Sequence, residues 1–330
     1  IKGCVKYHSL GAMSTGLLVF GAAWYYGMTG TFELSASCFA AALGNEATAP
    51  GLMMAACLLL CGAFFKVGAA PLHIWIPDVY QGAPTPASAF LAAASKSAGF
   101  VVLSLILLPL MVAAAHCGTW SDIHLALAIV TAATLLIGNL GAISQNNVKR
   151  LLGYSSIGQA GFILLFFTNA YPAVLTSTAQ YLLAYTLATV PAFYAVAMVR
   201  TQRGSEEVSA FRGLGKTNPR KAFLITVLFA SLAGVPLSLG FIVKFKSFMA
   251  LINYMSVDVT GELWLLIIAL ICATAGFYYY FKVLRPMYLD KPHEEDKPLC
   301  VPGITLAVMT LCVVALIVLG TLPLLTGDLF

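Results

Sequence analysis

The sequence contains very few charged residues for its length. Only 9% of the 330 residues are charged, whereas 60% are hydrophobic, and an average soluble domain carries roughly 25% charged residues. So few charges cannot cover the surface of a water-soluble globule of this size, which excludes a soluble enzyme or binding domain. Apolar runs of about 20 residues recur along the whole chain, and each is long enough to cross a bilayer as a helix. The sequence therefore predicts an all-α, polytopic integral membrane protein.

Motifs that bind redox cofactors or metals are also missing from the sequence. No glycine-rich dinucleotide fingerprint follows a strand-like segment. The eight cysteines are scattered, without a CxxC pair or any metal-ligand spacing. Cys57 and Cys61 lie one helical turn apart, but no third ligand is near them, so a packing role is favoured. We therefore expect no cofactor and no metal in this chain.

Polar breaks divide the apolar sequence into nine predicted spans, and the stretch 31–50 is left outside this count as a short helix or loop. The seventh span is too long for one crossing and contains Gly234, Pro236 and Gly240, which predicts a helix broken within the membrane. We expect one transmembrane domain over 1–330, a bundle of about 9–10 spans with discontinuous helices. The predicted spans are 8–27, 51–74, 86–110, 123–143, 152–169, 173–199, 222–254, 262–284 and 301–324.

The basic residues predict how the chain is oriented. With the N-terminus on the cytoplasmic or matrix side, fourteen of the eighteen Lys and Arg residues fall at inner span ends or in inner loops, as the positive-inside rule requires. Segment 200–221 is then inside and 255–261 is on the opposite side. The net charge of +5 is explained by these loops, so nucleic-acid binding is not needed. Because the chain begins at Ile1, without an initiator Met, and enters a helical pattern almost at once, we expect it to be a fragment.

Four lysines remain inside the predicted spans: Lys66, Lys96, Lys244 and Lys246. An ionisable residue at membrane depth costs at least about 2.5–3.5 kcal/mol, so it needs a functional or structural reason. For Lys246, two interpretations stay open: a buried lysine with a role of its own, or a side chain that snorkels to the interface. Snorkelling is disfavoured for Lys96, because it lies in the middle of its span. Lys66 and Lys244 each lie beside a Pro or Gly break, where water has room.

Three buried lysines joined by water and by polar side chains would form a proton relay, because burial favours the neutral amine and so eases proton exchange. No carboxylate falls in the middle of any span, so water or another part of the protein must stabilise the ammonium groups. Each polar side chain taken alone more often has a packing role. The candidate intermediates are His73, Ser95, Ser97, Thr131, Ser155, Ser156, Gln159, Tyr181 and Tyr185.

Several strings in the sequence resemble one family. They are FKVGAAPLHIWIPDVYQGAPTP at 65–86, ASK at 94–96, KRLLGYSSI at 149–157 and LAGVPLSLGFIVKF at 232–245. In this order they are similar to the antiporter-like subunit N family of bacterial NADH:quinone oxidoreductase, respiratory complex I, whose mitochondrial counterpart is subunit 2. The resemblance extends over essentially the whole chain.

The resemblance implies two inverted helical repeats, each with a discontinuous helix, and a proton channel formed by Lys66, Lys96 and Lys244. His73 and Gln159, from the candidate intermediates above, are further candidate site residues. It implies that NADH, FMN, iron–sulfur clusters and quinone are bound by other subunits. It also implies other membrane-arm subunits as partners, further antiporter-like subunits among them. The location would be a bacterial plasma membrane or a mitochondrial inner membrane.

Two positions depart from the family pattern, and two other functions stay open. Lys2 stands where the resemblance leads us to expect a glutamate that pairs with Lys66, and Gln159 stands where a histidine is common. We therefore predict that Lys2 points to the inner interface or that another carboxylate approaches Lys66. The alternatives are a subunit of an Mrp-type cation/proton antiporter or membrane-bound hydrogenase, and a structural remnant of the membrane arm.

Overall fold

The computed structural model describes residues 2–168, 173–255, 263–292 and 302–326, and the regular structure within these ranges is helical. A π-helical turn, Leu91–Ser95, joins the fifth helix to the sixth, and a 3-10 turn, Val208–Phe211, precedes the tenth. The helices are α1 (Lys2–Thr29), α2 (Ala36–Leu43), α3 (Ala49–Val67), α4 (Trp75–Gly82), α5 (Thr85–Phe90), α6 (Lys96–Cys117), α7 (Trp120–Ile143), α8 (Val148–Leu164), α9 (Val174–Arg203), α10 (Leu214–Thr217), α11 (Pro219–Ala233), α12 (Leu239–Met255), α13 (Leu263–Leu289) and α14 (Gly303–Thr326). The predicted all-α class is confirmed.

Length and composition identify six membrane-crossing helices within the described ranges. They are Ala49–Val67, Thr85–Cys117, Trp120–Ile143, Val174–Arg203, Leu263–Leu289 and Gly303–Leu322. The three other predicted spans fall outside this group for different reasons. Helix α1 has 28 residues with many Gly, Ser, Thr and Tyr, helix α8 has only 17 residues, and the span 222–254 is divided into α11 and α12.

The predicted span 51–74 is wrong at its C-terminal end. Helix α3 ends at Val67 because Gly68 adopts the left-handed conformation, with φ of +80°, and its N–H closes the last turn on the Phe64 carbonyl. The break before α4 is held from two sides: the Trp75 indole donates to the Phe65 carbonyl at 3.1 Å, and the Ala70 amide donates to the Thr134 hydroxyl at 2.9 Å. The predicted interruption near Lys66 is therefore a real break between α3 and α4.

The second predicted break is confirmed between α11 and α12. Helix α11 ends at Ala233, and Gly234 follows in the left-handed region at φ of +89°, which costs little only for glycine. Leu237 also has a positive φ of 71°, and its side chain is exposed. Helical hydrogen bonding resumes in α12 at Leu239. The predicted span 222–254 is therefore two helices with a break between them.

The predicted span 86–110 is longer than the sequence indicated and is not a uniform α-helix. It extends from Thr85 to Cys117, with Pro109 inside α6. The π-helical turn ends at Ser95, directly before Lys96. Such turns widen the helix and occur frequently at functional sites. The stretch 31–50 contains the short helix α2, which Ser35 caps through the Cys38 amide.

Helix α8 lies at the centre of the bundle. Most of its side chains are buried, and it packs against α4, α7, α9, α12 and α13. Its contact with α7 is very close because Gly138 faces Gly158: a Cβ added to Gly138 would lie 2.2 Å from the Gly158 nitrogen. Small residues of this kind allow membrane helices to approach backbone to backbone. The central position of α8 brings Ser155, Ser156 and Gln159 into the core.

Ion pairs tie the helix ends together at one end of the bundle. Asp78 on α4 pairs with Lys6 on α1 and, at 2.7 Å, with Arg150 on α8. The Lys6 hydrogen bond, and after it the Arg150 contact, holds the pKa of Asp78 below its usual range.

A second group of charges lies where the segment after α9 meets the start of α8. Lys149 is fully buried and pairs with Glu206 at 3.2 Å, while Arg200 pairs with the same carboxylate at 2.7 Å. Burial is the main cause that lowers the pKa of Lys149, although Glu206 opposes the shift. The predicted inner segment 200–221 therefore lies beside the basic start of α8. The predicted outer segment 255–261 falls outside the described residues after Met255, and the sidedness stays a prediction.

Candidate functional site

Lys96 is buried in the middle of the bundle, with only 1% of its surface exposed. Its Nζ donates to both the backbone carbonyl and the hydroxyl of Ser156 on α8, at 2.5 Å each. The same atom lies 5.4 Å from the centre of the Tyr185 ring, where a cation is attracted by the aromatic face. A carbonyl, a hydroxyl and a ring therefore surround this amine.

Lys244 is the second buried lysine, with 5% of its surface exposed. Its Nζ donates to the carbonyls of Leu232 at 2.8 Å and Ala233 at 2.9 Å and lies 5.2 Å from the Phe162 ring. These carbonyls belong to the last turn of α11, where the end of a helix leaves carbonyls without helical partners and carries partial negative charge. The break in the helix thus supplies partial negative charge to Lys244, which pairs with no carboxylate among the described residues.

Gln159 joins the surroundings of the two lysines. Its Nε2 donates to the Leu232 carbonyl at 3.1 Å, the same oxygen that accepts from Lys244. Its Oε1 accepts from the Tyr181 hydroxyl at 2.5 Å. Ser156, the partner of Lys96, lies one helical turn away on α8. The structure therefore brings together three of the predicted site residues, Lys96, Gln159 and Lys244.

A network of tyrosines extends from this centre and was not predicted. The Gln159 Nε2 also donates to the Tyr280 hydroxyl at 3.3 Å, and Tyr280 contacts the Ser155 hydroxyl. Next to it, the Tyr279 hydroxyl donates to Asn139 at 3.1 Å. The signal in the sequence was three consecutive tyrosines at 278–280 inside an apolar span, of which the second and third face the core.

Lys66 does not occupy the buried position that the sequence predicted. Its side chain is exposed, and it makes no ion pair with a carboxylate among the described residues. Its backbone does pack against α6, where a Cβ added to Gly99 would lie 3.1 Å from the Lys66 Cβ. The predicted burial is therefore wrong for the described chain, because the helix face of Lys66 is not covered. The prediction for Lys2 concerns a side chain that lies outside the described ones.

His73 and Lys246 do not join the central group either. His73 lies half-buried in the break between α3 and α4, and its Nδ1 has no hydrogen-bond partner among the described residues. Lys246 is partly exposed and donates to the Gln180 side chain at 3.1 Å, which ties α12 to α9. Lys246 therefore has a structural explanation of its own. In the part of the chain that the structure describes, no three His, Cys, Asp or Glu side chains are grouped as metal ligands.

The geometry defines a class of protein: a broken-helix membrane bundle with lysines held at its centre by carbonyls and hydroxyls. Residues 1–284 match the family described as NADH:quinone oxidoreductase/Mrp antiporter, transmembrane, and the chain belongs to this family. It is an integral membrane protein.

Within this family, the similarity is to subunit N. The chain is 35% identical over 323 residues to NADH-quinone oxidoreductase subunit N of Desulforamulus reducens, covering 98% of the chain and 65% of that protein. It is 32% identical to a chain of respiratory complex I from Thermus thermophilus with bound aureothin, with a TM-score of 0.78, covering 98% of this chain and 67% of that one. It is 26% identical to a chain of an archaeal membrane-bound sulfane sulfur reductase, with a TM-score of 0.86, covering 99% and 64%. The chain thus spans about 65% of the length of the curated relative that it matches.

Proposed function

We propose that this chain is a proton-translocating part of a membrane-arm subunit of respiratory complex I. In this proposal, protons move along a relay through Lys96 and Lys244, coupled to electron transfer between NADH and quinone in other subunits. Gln159 belongs to the centre of the relay. Lys66 and His73 lie at its edge, beside the first broken helix. The domain is a single transmembrane module over 1–330.

The observation that carries the proposal is the surroundings of the two buried amines. Lys96 and Lys244 face carbonyls, hydroxyls and rings, and neither pairs with a carboxylate among the described residues. A fixed salt bridge would hold a lysine permanently charged, whereas neutral oxygen partners stabilise the ammonium without preventing the loss of its proton. An amine in such surroundings can alternate between its charged and neutral forms, which a relay requires.

The proposal assigns the redox chemistry to partner subunits. The central side chains are amines, hydroxyls, phenols and one amide, which are suited to exchanging and orienting protons. NADH, FMN, iron–sulfur clusters and quinone would be bound elsewhere in the complex. The partners proposed are other membrane-arm subunits, including further antiporter-like ones.

The fold alone does not separate complex I from related membrane complexes. The likeness to the sulfane sulfur reductase chain has the higher TM-score, 0.86 against 0.78, but the sequence identity is higher for the complex I chain, 32% against 26%. The higher sequence identity favours complex I, because related complexes keep a shared fold even after the sequences of their loops and partner surfaces have diverged. Purification of the chain with its partners from native membranes distinguishes these functions. Co-purification with flavin and iron–sulfur subunits and NADH:quinone activity supports complex I, whereas co-purification with antiporter subunits alone supports an Mrp-type complex.

The relay itself is tested by replacing each lysine in the complete subunit within its assembled complex. Lys96→Ala and Lys244→Ala are expected to reduce the number of protons moved per NADH oxidised, measured in proteoliposomes with a pH-sensitive dye. Lys246→Ala is the matched control, because Lys246 lies two residues from Lys244 on the same helix but contacts Gln180 instead. Its proton count should equal that of the unmodified complex.

Two outcomes would contradict the proposal. Unchanged proton counts in both Lys96→Ala and Lys244→Ala would leave the chain as a structural element of the membrane arm. An equal loss in Lys246→Ala would mean that any change in α12 disturbs the complex, so the effect would not belong to the relay. Lys66→Ala tests whether Lys66 at the edge of the relay is also needed. Loss of pumping in this variant would mean that the exposed Lys66 belongs to the relay.

A further inference from the structure

The side-chain amide of Gln159 is fully engaged in hydrogen bonds. Its nitrogen donates to the Leu232 carbonyl and the Tyr280 hydroxyl, and its oxygen accepts from Tyr181. The Leu232 carbonyl can only accept, so it fixes which end of the amide is the nitrogen. An amide does not take up a proton at physiological pH. Gln159 therefore orients its neighbours but offers no group that binds and releases the transferred proton.

A small cavity lies beside Gln159, between α8, α9, α11 and α12. The polar groups that line it include Lys244, Tyr185 and Ser231. The space available to the centre of a water molecule is about 10 Å³, close to the smallest volume that holds one water. The cavity is therefore of the right size for a single water molecule and too small for any larger ligand.

Two of the polar groups lining this cavity have incomplete hydrogen bonding among the described residues. The hydroxyls of Tyr185 and Ser231 are buried and make no hydrogen bond of good geometry within the part of the chain that the structure describes. A buried hydroxyl without a partner costs roughly 1–3 kcal/mol. One water molecule in the cavity would satisfy both, because buried waters typically bind two to four polar groups.

Tyr185 also lies close to the first lysine. The Lys96 amine is 5.4 Å from the Tyr185 ring centre, and the Ser156 hydroxyl, which accepts from Lys96 at 2.5 Å, lies next to the Tyr185 phenol. Lys244 lines the same cavity as Tyr185. The hydroxyls of Ser156 and Tyr185 and one water in the cavity would therefore link the two lysines.

We propose that this cavity binds one water molecule between Tyr185 and Ser231, and that the proton passes from Lys96 to Lys244 through this water rather than through Gln159. The inference rests on the proposed function. Tyr185 is a further relay residue in this assignment, while Ser231, which holds the water, Gln159 and Tyr181 are positioning residues.

The transfer balances as a chain of proton shifts. The Lys96 ammonium gives a proton to the Ser156 hydroxyl, which passes its own proton to Tyr185. Tyr185 in turn passes its proton to the water, and the water gives one proton to the neutral amine of Lys244. Each hydroxyl and the water is left with its original number of protons. Lys96 becomes neutral and Lys244 becomes charged, and no electron is moved.

The test uses the assembled complex in proteoliposomes, with protons counted per NADH oxidised. Tyr185→Phe removes one hydroxyl, and Ser231→Val removes the other and fills the cavity. Both are expected to lower the proton count to the level of Lys244→Ala. Thr178→Val is the matched control, because Thr178 is also a buried hydroxyl on α9 without a described partner but does not line the cavity. It should leave the proton count unchanged.

A high-resolution cryo-electron microscopy map of the unmodified complex provides a measurement that needs no variant. Density for one water within hydrogen-bond distance of Tyr185 Oη and Ser231 Oγ is expected. An empty cavity in such a map would overturn the inference, and so would normal pumping by both Tyr185→Phe and Ser231→Val while the lysine variants fail. Normal pumping by Lys96→Ala and Lys244→Ala would instead overturn the proposed function itself, so the two failures are distinguishable.

Discussion

The close contact between α7 and α8 gives a prediction whose size follows from the structure. A Cβ added to Gly138 would lie 2.2 Å from the Gly158 nitrogen and 2.7 Å from its Cα. These are backbone atoms of a helix, so no side-chain rotation can relieve the clash. Ordinary contact begins at 3.4 Å, so the helices must move apart by 3.4 − 2.2 = 1.2 Å along this line. A gap of that size removes a large part of the dispersion attraction along the contact.

Gly138→Ala is therefore expected to destabilise the protein even though alanine is the better helix former. Overpacking of a close contact costs typically about 1–3 kcal/mol, while the gain in helix propensity is about 1 kcal/mol. Gly16→Ala is the control, because nothing lies within 4 Å of the Cβ that it adds on α1. Since both variants share the propensity gain, the difference between them isolates the packing cost of roughly 1–3 kcal/mol.

Thermal unfolding of the purified complex in detergent measures this difference, and Gly138→Ala should unfold at a lower temperature than Gly16→Ala. Proton pumping should fall as well, because α8 carries both Ser156 and Gln159. Equal unfolding temperatures would refute the reasoning, since they would mean that α7 and α8 can separate at no cost.

Two further predictions concern the ends and breaks of helices. The Lys6 contact lowers the pKa of Asp78 from its ordinary value of 3.8. The ionised Asp78 therefore stabilises the fold fully at pH values above 3.8, and this stabilisation is lost as the pH falls through the lowered pKa of the folded protein. Asp78→Asn should remove this acid-dependent part of the stability, and unfolding temperatures at pH 7 and pH 3 that shift equally in both proteins would contradict it. Gly234→Ala should reduce pumping, because its Cβ would lie 3.0 Å from the Lys244 Cδ. Gly30→Ala, with a similar φ of +72° and nothing within 4 Å of its Cβ, should leave pumping unchanged.

The sequence was sufficient to predict those features in which a residue is energetically unfavourable unless the fold compensates for it. Lys96 and Lys244 stood out because a charge inside an apolar run is expensive, and an expensive residue needs partners in the fold. The break at Gly234 could be predicted because glycine and proline disfavour a continuous helix. In each case a residue type by itself carried the information.

Other features depend on neighbours and could not be predicted from residue types. The π-helical turn before Lys96 has an ordinary alanine-rich sequence, so nothing in 91–95 marks it. The exposure of Lys66 depends on which helix faces are covered, and periodicity within one helix does not reveal this. The partners of Lys244 are backbone carbonyls, which every residue possesses, so a search for acidic side chains could not find them.

The end of α11 has a consequence for how durable the lysine site is. A carboxylate partner can be deleted by a single mutation and neutralised by acid, but the carbonyl oxygens of Leu232 and Ala233 are present whatever side chains stand at those positions. They do not titrate in the physiological range, so the field that they exert on Lys244 is the same at every working pH. Genetic drift at 232 and 233 leaves this field intact as long as the chain still bends at Gly234. The durability of the site therefore depends on a bend in the main chain, and damage to it would come from substitutions that straighten the helix.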